Sequence, residues 1–111
     1  MDESEFNQKA DELLTAIEDA IDKIIDENDL DIDFENSGGI LSLGFEDNSK
    51  IIINRQAPLR QIWVATRSGG FHFDFDPERN QWREEKNGTE LFAELGRHCS
   101  TNTGEQVVLR A

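Results

Sequence analysis

Apolar residues in the first part of the chain recur at three- and four-residue spacing, and then the period drops to two. Phe6, Ala10, Leu13, Leu14, Ile17, Ile21, Ile24 and Ile25 share one face when residues are set about 100° apart, which predicts a helix from about Glu5 to Glu27. Ser4 stands where an N-cap belongs, since its hydroxyl can accept from an unpaired amide of the first turn. Asp11, Glu18, Asp19, Asp22 and Asp26 fall on the opposite face.

From Leu30 to Glu35 apolar and acidic residues alternate, the pattern of a strand with one buried and one charged face. Asn36 to Gly39 reads as a turn, and Leu41, Leu43 and Phe45 alternate again. After a turn at Glu46–Asp47–Asn48 comes the central stretch. It holds the β-branched run Ile51 to Ile53, the strand formers Ile62 to Thr66, and Phe71, Phe73 and Phe75 alternating with His72 and Asp74. Ala57–Pro58–Leu59 and Ser68–Gly69–Gly70 are breakers between these runs. Residues 76–80 read as a loop and Gln81 to Glu84 as a short last strand. Asn87–Gly88 is a turn signal, and Thr89 can cap a second helix that buries Leu91, Phe92, Leu95 and Cys99 and ends near Thr101. Val107, Val108 and Leu109 are apolar enough to dock on the body. The order is helix, about six strands, helix. It predicts one α+β domain over residues 1–111, a two-layer sandwich with the N- and C-terminal helices on one face of an antiparallel sheet. The other face is left to solvent.

Strand parity then sorts the sheet residues. With Ile62 and Val64 in the core, Trp63 and Gln61 point out; with Ile51 and Ile53 inside, Ile52 and Asn54 point out. An outward Trp among amides, with Arg67 nearby, has the composition of a protein-binding surface. Trp82 reads as packing. His72 should be exposed and is a candidate secondary metal ligand beside Asp74. His98 and Cys99 read as helix-packing residues.

Charge changes the picture at one end only. The formal net charge is −13. Residues 1–35 carry fourteen acids against Lys9 and Lys23, whereas the remainder carries ten acids against nine basic residues. Such an end repels nucleic acid and anionic membrane and attracts cations or a basic protein surface. Glu18 and Asp22 are four apart, and Asp19, Asp22 and Asp26 are three and four apart; each like-charge pair costs a helix roughly 0.2–0.5 kcal/mol. Asp26 and Glu27 add to this at the helix C-terminus, where the dipole disfavours anions. Asp29, Asp31 and Asp33 carry the charge onto the sheet edge. A row of carboxylates suits iron, Mg²⁺, Ca²⁺ or Mn²⁺ rather than soft metals, with weak binding and fast exchange. The Asp29–Asp33 pattern lacks the glycine and closing glutamate of an EF-hand. Cys and His spacing fits no zinc site. No nucleophile–base pair, glycine-rich phosphate loop or basic aromatic patch is present. The acidic start, MDESEFNQ, resembles neither a secretory signal nor a mitochondrial presequence. With the single Cys99, this predicts a cytoplasmic protein.

The run GGILSLGFEDNSKIIINRQAPLRQIWVATRSGGFHFDF resembles the frataxin family, most closely its bacterial, CyaY-type branch. The matching pieces are Asn54–Arg55–Gln56 before Pro58, Gln61–Ile62–Trp63, and Gly69–Gly70 leading into Phe71–His72–Phe73–Asp74, together with the acidic first helix and strand. The resemblance implies an αβ sandwich and weak iron binding, as Fe²⁺ or Fe³⁺, at Glu18, Asp19, Asp22, Asp26, Asp29, Asp31 and Asp33. It implies a part in iron–sulfur cluster assembly through contact with the cysteine desulfurase and the scaffold protein. Asn54, Gln56, Gln61 and Trp63 map to the partner-facing sheet. The expectation is a non-enzymatic, monomeric modulator, open to iron-driven oligomers, with no nucleic-acid or membrane partner. Two alternatives stand beside it. One is a ferroxidase or iron store, against which no paired Glu-x-x-His motif of a di-iron bundle is found. The other is a generic acidic protein that occupies basic partners.

Overall fold

The computed structural model describes residues 1–110. Helix α1 (Glu3–Asn28) and helix α2 (Leu91–Thr103) flank six strands: β1 (Ile32–Ser37), β2 (Ile40–Phe45), β3 (Lys50–Gln56), β4 (Gln61–Thr66), β5 (Gly69–Asp76) and β6 (Gln81–Glu84). One 3₁₀ turn (Ala57–Leu59) joins β3 to β4. All neighbours pair antiparallel in the order β1-β2-β3-β4-β5-β6, so β1 and β6 are the edges. Both helices cover one face of this sheet, as the periodicity predicts.

The core lies between the layers. From α1 it takes Phe6, Ala10, Leu13, Leu14, Ile17, Ala20, Ile21 and Ile24. The sheet supplies Ile32, Leu41, Leu43, Phe45, Ile51, Ile53, Ile62, Val64 and Phe73. The second helix adds Leu91, Phe92, Leu95 and Cys99. Ile25 is only partly buried, and Ala20 takes a core position that its size hid in the sequence. Trp82 is buried against Phe6 and Phe75 in two edge-on contacts, at centroid distances of 5.9 and 5.2 Å. Burial pushes the Cys99 thiol up to about 12, so this cysteine is a packing residue and a poor nucleophile.

Several boundaries differ from the sequence reading. The N-cap of α1 is Asp2, whose Oδ1 accepts from the Glu5 amide at 2.8 Å; Ser4 is already helical. The α2 cap is Glu90, accepting from the Phe92 and Ala93 amides, and Thr89 lies outside it. A carboxylate at either cap offers two acceptors and opposes the positive helix end, which favours it over a hydroxyl one or two residues away. β1 starts at Ile32 and runs through Asn36 and Ser37, leaving Gly38–Gly39 as a two-residue hairpin loop. Both glycines have positive φ, 62° and 83°, as a turn matched to strand twist requires. Gly69 and Gly70 begin β5, so the turn before it is Arg67–Ser68. The C-terminal segment packs Val107 and Leu109 into the core while Val108 stays 54% exposed. The Ser100 hydroxyl ties it down, accepting from the Val107 amide at 2.8 Å.

Candidate functional site

The seven acids named from the sequence lie around one corner. Glu18, Asp19, Asp22 and Asp26 line the outer face of α1, Glu18 half-buried and the other three exposed. Asp29 caps the helix C-terminus in a left-handed conformation at φ 51°. No basic residue stands in the last turn of α1, so the negative end of the helix adds to the field rather than being relieved. Ile32 is buried and Asp33 exposed, so alternation turns Asp33 away from the helix layer, onto the open face along the β1 edge; Asp31 lies just before β1, exposed at the end of the sheet. None of the seven carboxylates forms an ion pair among the described residues.

They do not converge into a cage. Among the described residues, no group of three or more His, Cys, Asp or Glu side chains is placed to hold a metal ion. The arrangement is a row that wraps from a helix face onto a strand edge. A row of this kind concentrates hydrated cations without stripping their water, which gives low affinity and fast exchange.

The row extends further than the sequence indicates. Asp31 shares a cleft of about 250 Å³ with Glu46 and Asp47 of the β2–β3 turn and with Glu105 beyond α2. Alternation within one strand cannot reveal that a turn and a helix end arrive beside it. Asp47 is held well below the usual range, to about 2, by the Ser49 hydroxyl, the Ser49 amide and the Arg67 guanidinium. Arg67 therefore pairs with Asp47 and does not flank Trp63, as its sequence position had suggested. Asp11, predicted on the acidic face, is taken up by Arg55, which reaches back from β3 to α1 at 2.6 Å.

The second group sits on the open face of the sheet. Asn54 pairs with Trp63, which pairs with His72; Gln56 pairs with Gln61, which pairs with Asp74. Asn54, Gln61 and Trp63, read from strand parity, and Gln56, implied by the resemblance, thus fall in two adjoining rows. Trp63 is half-buried rather than fully outward, because the His72 ring lies flat on its indole, 4.2 Å between centroids and 10° between planes. The indole Nε1–H donates to Gln61 Oε1 at 3.0 Å. Gln61 Nε2 donates in turn to Asp74 at 3.2 Å and Glu85 at 3.0 Å. His72 Nδ1 meets the other Glu85 oxygen at 3.0 Å. Glu85 is absent from the sequence reading. It lies just past β6, where no periodicity points to it.

Between these groups the face is low. Asp33 pairs with Gly44, and one row across the sheet reads Glu35, Ser42, Ile52, Ala65, Gly70. Three strand spacings separate β1 from β4, about 14 Å. The acidic edge and the Trp63 group therefore fit under one partner of ordinary interface size.

A family model for the frataxin-like domain matches residues 1–105. The chain belongs to the frataxin family. Two similar relatives are both called iron–sulfur cluster assembly protein CyaY. That of a Polaromonas species is 44% identical over 111 residues, covering 100% of this chain and 94% of the relative. That of Pseudomonas aeruginosa is 46% identical over 107 residues, covering 96% and 95%. Among solved structures, frataxin from Psychromonas ingrahamii, described within the CyaY protein family, superposes with a TM-score of 0.86 at 36% identity over 100% of both chains. A trimeric frataxin from the yeast Saccharomyces cerevisiae, in its ferrous complex, gives 0.74 at 28% identity over 87% of each chain. These matches agree with the bacterial CyaY-type frataxin to which the central motif pointed.

Proposed function

We propose that this frataxin is an iron-responsive, non-catalytic modulator of iron–sulfur cluster assembly. It docks on the cysteine desulfurase through its acidic corner and meets the scaffold protein with the Trp63 face. The observation that carries the reading is the unpaired row from Glu18 to Asp33, wrapped around the edge of a sheet whose centre presents Asn54, Gln56, Gln61 and Trp63. The relatives named for iron–sulfur cluster assembly support the pathway, and the ferrous complex of the yeast relative supports iron. Open carboxylates take Fe²⁺ or Fe³⁺ weakly, and other divalent cations compete for them. The chain works as a monomer until iron neutralises the corner and lets copies associate; the trimeric yeast relative supports that step. It acts in the cytoplasm, as one domain.

Two surfaces with different physics predict two different sensitivities. Desulfurase binding, measured by calorimetry, should weaken steeply as salt rises, because exposed charges are screened within about 10 Å at 0.1 M. Trp63→Ala should leave that salt slope unchanged and weaken scaffold binding by about tenfold or more, the loss typical of a buried aromatic anchor. Salt-independent desulfurase binding would defeat the docking model. Undiminished scaffold binding by Trp63→Ala would remove the sheet face from it.

A further inference from the structure

Four side chains on the open face form a closed ring, in which Glu85 joins Gln61 to His72 opposite Trp63. One Glu85 oxygen accepts from Gln61 Nε2 at 3.0 Å and the other contacts His72 Nδ1 at 3.0 Å. The Glu85 backbone N–H also donates to the His72 carbonyl at 2.9 Å, extending the β5–β6 ladder by one rung. Gln61 and His72 hold Trp63 from its polar edge and from its face. The ring therefore runs Trp63, Gln61, Glu85, His72 and back to Trp63 through the stacked contact.

We infer that Glu85 is a positioning residue that fixes the Trp63–His72 pair and sets the hydrogen-bonding sense of His72 toward a partner. The inference rests on the sheet face being a docking surface. A carboxylate has only lone pairs to offer, so the His72 nitrogen facing Glu85 must carry the hydrogen. In the neutral ring, Nε2 is then left with its lone pair. The Trp63 indole N–H is already spent on Gln61. The face thus offers a partner a flat aromatic plane with an acceptor on the plane itself, His72 Nε2. It fits a partner segment that brings an apolar side chain for the plane and an N–H or O–H donor beside it.

Glu85→Gln is the discriminating variant because it keeps size and reach. An amide has one oxygen where the carboxylate has two, and Gln61 and His72 use different oxygens of Glu85, so the amide meets one of them with its NH₂. When its oxygen serves Gln61, its NH₂ donates to His72 Nδ1, and the imidazole must carry its hydrogen on Nε2. That nitrogen changes from acceptor to donor. Nitrogen NMR of the imidazole in the free protein reads this directly. In the neutral imidazole, followed at alkaline pH, wild type is expected to show a protonated Nδ1 and an unprotonated Nε2, and Glu85→Gln to show the reverse together with a shifted Trp63 indole N–H. Glu85→Asp keeps a carboxylate and should restore the wild-type Nε2 state while only loosening the ring. Scaffold binding should weaken by about tenfold in Glu85→Gln, the value of one reversed hydrogen bond, and recover in part in Glu85→Asp. Unmoved His72 and Trp63 signals in Glu85→Gln would overturn the inference whatever the binding result. Reversed signals with unchanged scaffold binding would leave the positioning role intact and remove the docking surface instead.

Discussion

Replacing Glu18, Asp19 and Asp22 by Gln, Asn and Asn is expected to weaken desulfurase binding by roughly threefold to a hundredfold while leaving the protein more stable. The two effects share one cause. Glu18–Asp22, Asp19–Asp22 and Asp22–Asp26 are like-charge neighbours on the helix surface, each costing roughly 0.2–0.5 kcal/mol. The substitutions relieve all three and lose one favourable neighbour, Asp19 with Lys23. The net gain is about 0.5–1 kcal/mol, a rise of roughly 3–6 °C in midpoint for a domain this size. The binding loss follows from removing three screened charge contacts at about 0.2–1 kcal/mol each. Calorimetric binding and thermal unfolding on the same triple variant check both halves. A variant that is less stable, or that binds as well as the parent, contradicts the view that this charge is retained for a partner.

Phe73→Ala is expected to cost about 3–5 kcal/mol, against a typical total of about 5–15 kcal/mol for a domain. Phe73 is wholly buried, paired across β5 with Ile62 on one side and Glu84 on the other. Its ring fills the space between the middle of the sheet and the helix layer, among other fully buried side chains. Urea unfolding should show the midpoint falling with little change in slope. Asn54→Ala, one layer out on the open face, is the contrast. It should change stability by less than about 0.5 kcal/mol, since its side chain serves the surface and not the core. A small loss for Phe73→Ala would mean that the two layers are not packed as described.

The fold was legible because two periods alternate cleanly along the chain. Eight apolar positions in α1 and the β-branched runs of β3 and β4 each admit one buried face, and short connections leave sequential hairpins as the simplest order. What was not legible depends on contacts between distant residues. Asp2 and Ser4, or Thr89 and Glu90, are competing cap residues, and the path of the chain into each helix decides between them. Gly69, at φ 141°, starts a strand rather than a turn because Thr66 pairs with it. The carboxylates from Glu18 to Asp33 were readable as a row because charge accumulates where helix physics opposes it. Their neighbours Glu46 and Glu105 were not, because a turn and a helix end reach β1 only in three dimensions. Strand parity placed Asn54, Gln61 and Trp63 on one face. It could not show that His72 shields Trp63, or that Glu85 ties the pair together.

The central claim is that the unpaired acids at the junction of α1 and β1 are kept to meet a positive charge, iron first among the metals. Anaerobic titration of the nitrogen-15-labelled protein with Fe²⁺, followed by amide NMR, tests it most directly, because the paramagnetic ion erases signals close to it. Signals of residues 18–33 should vanish first, at low metal, while those of Trp63 and His72 persist. Loss that begins around His72 and Asp74, or that spreads evenly over the acidic surface, would contradict the account.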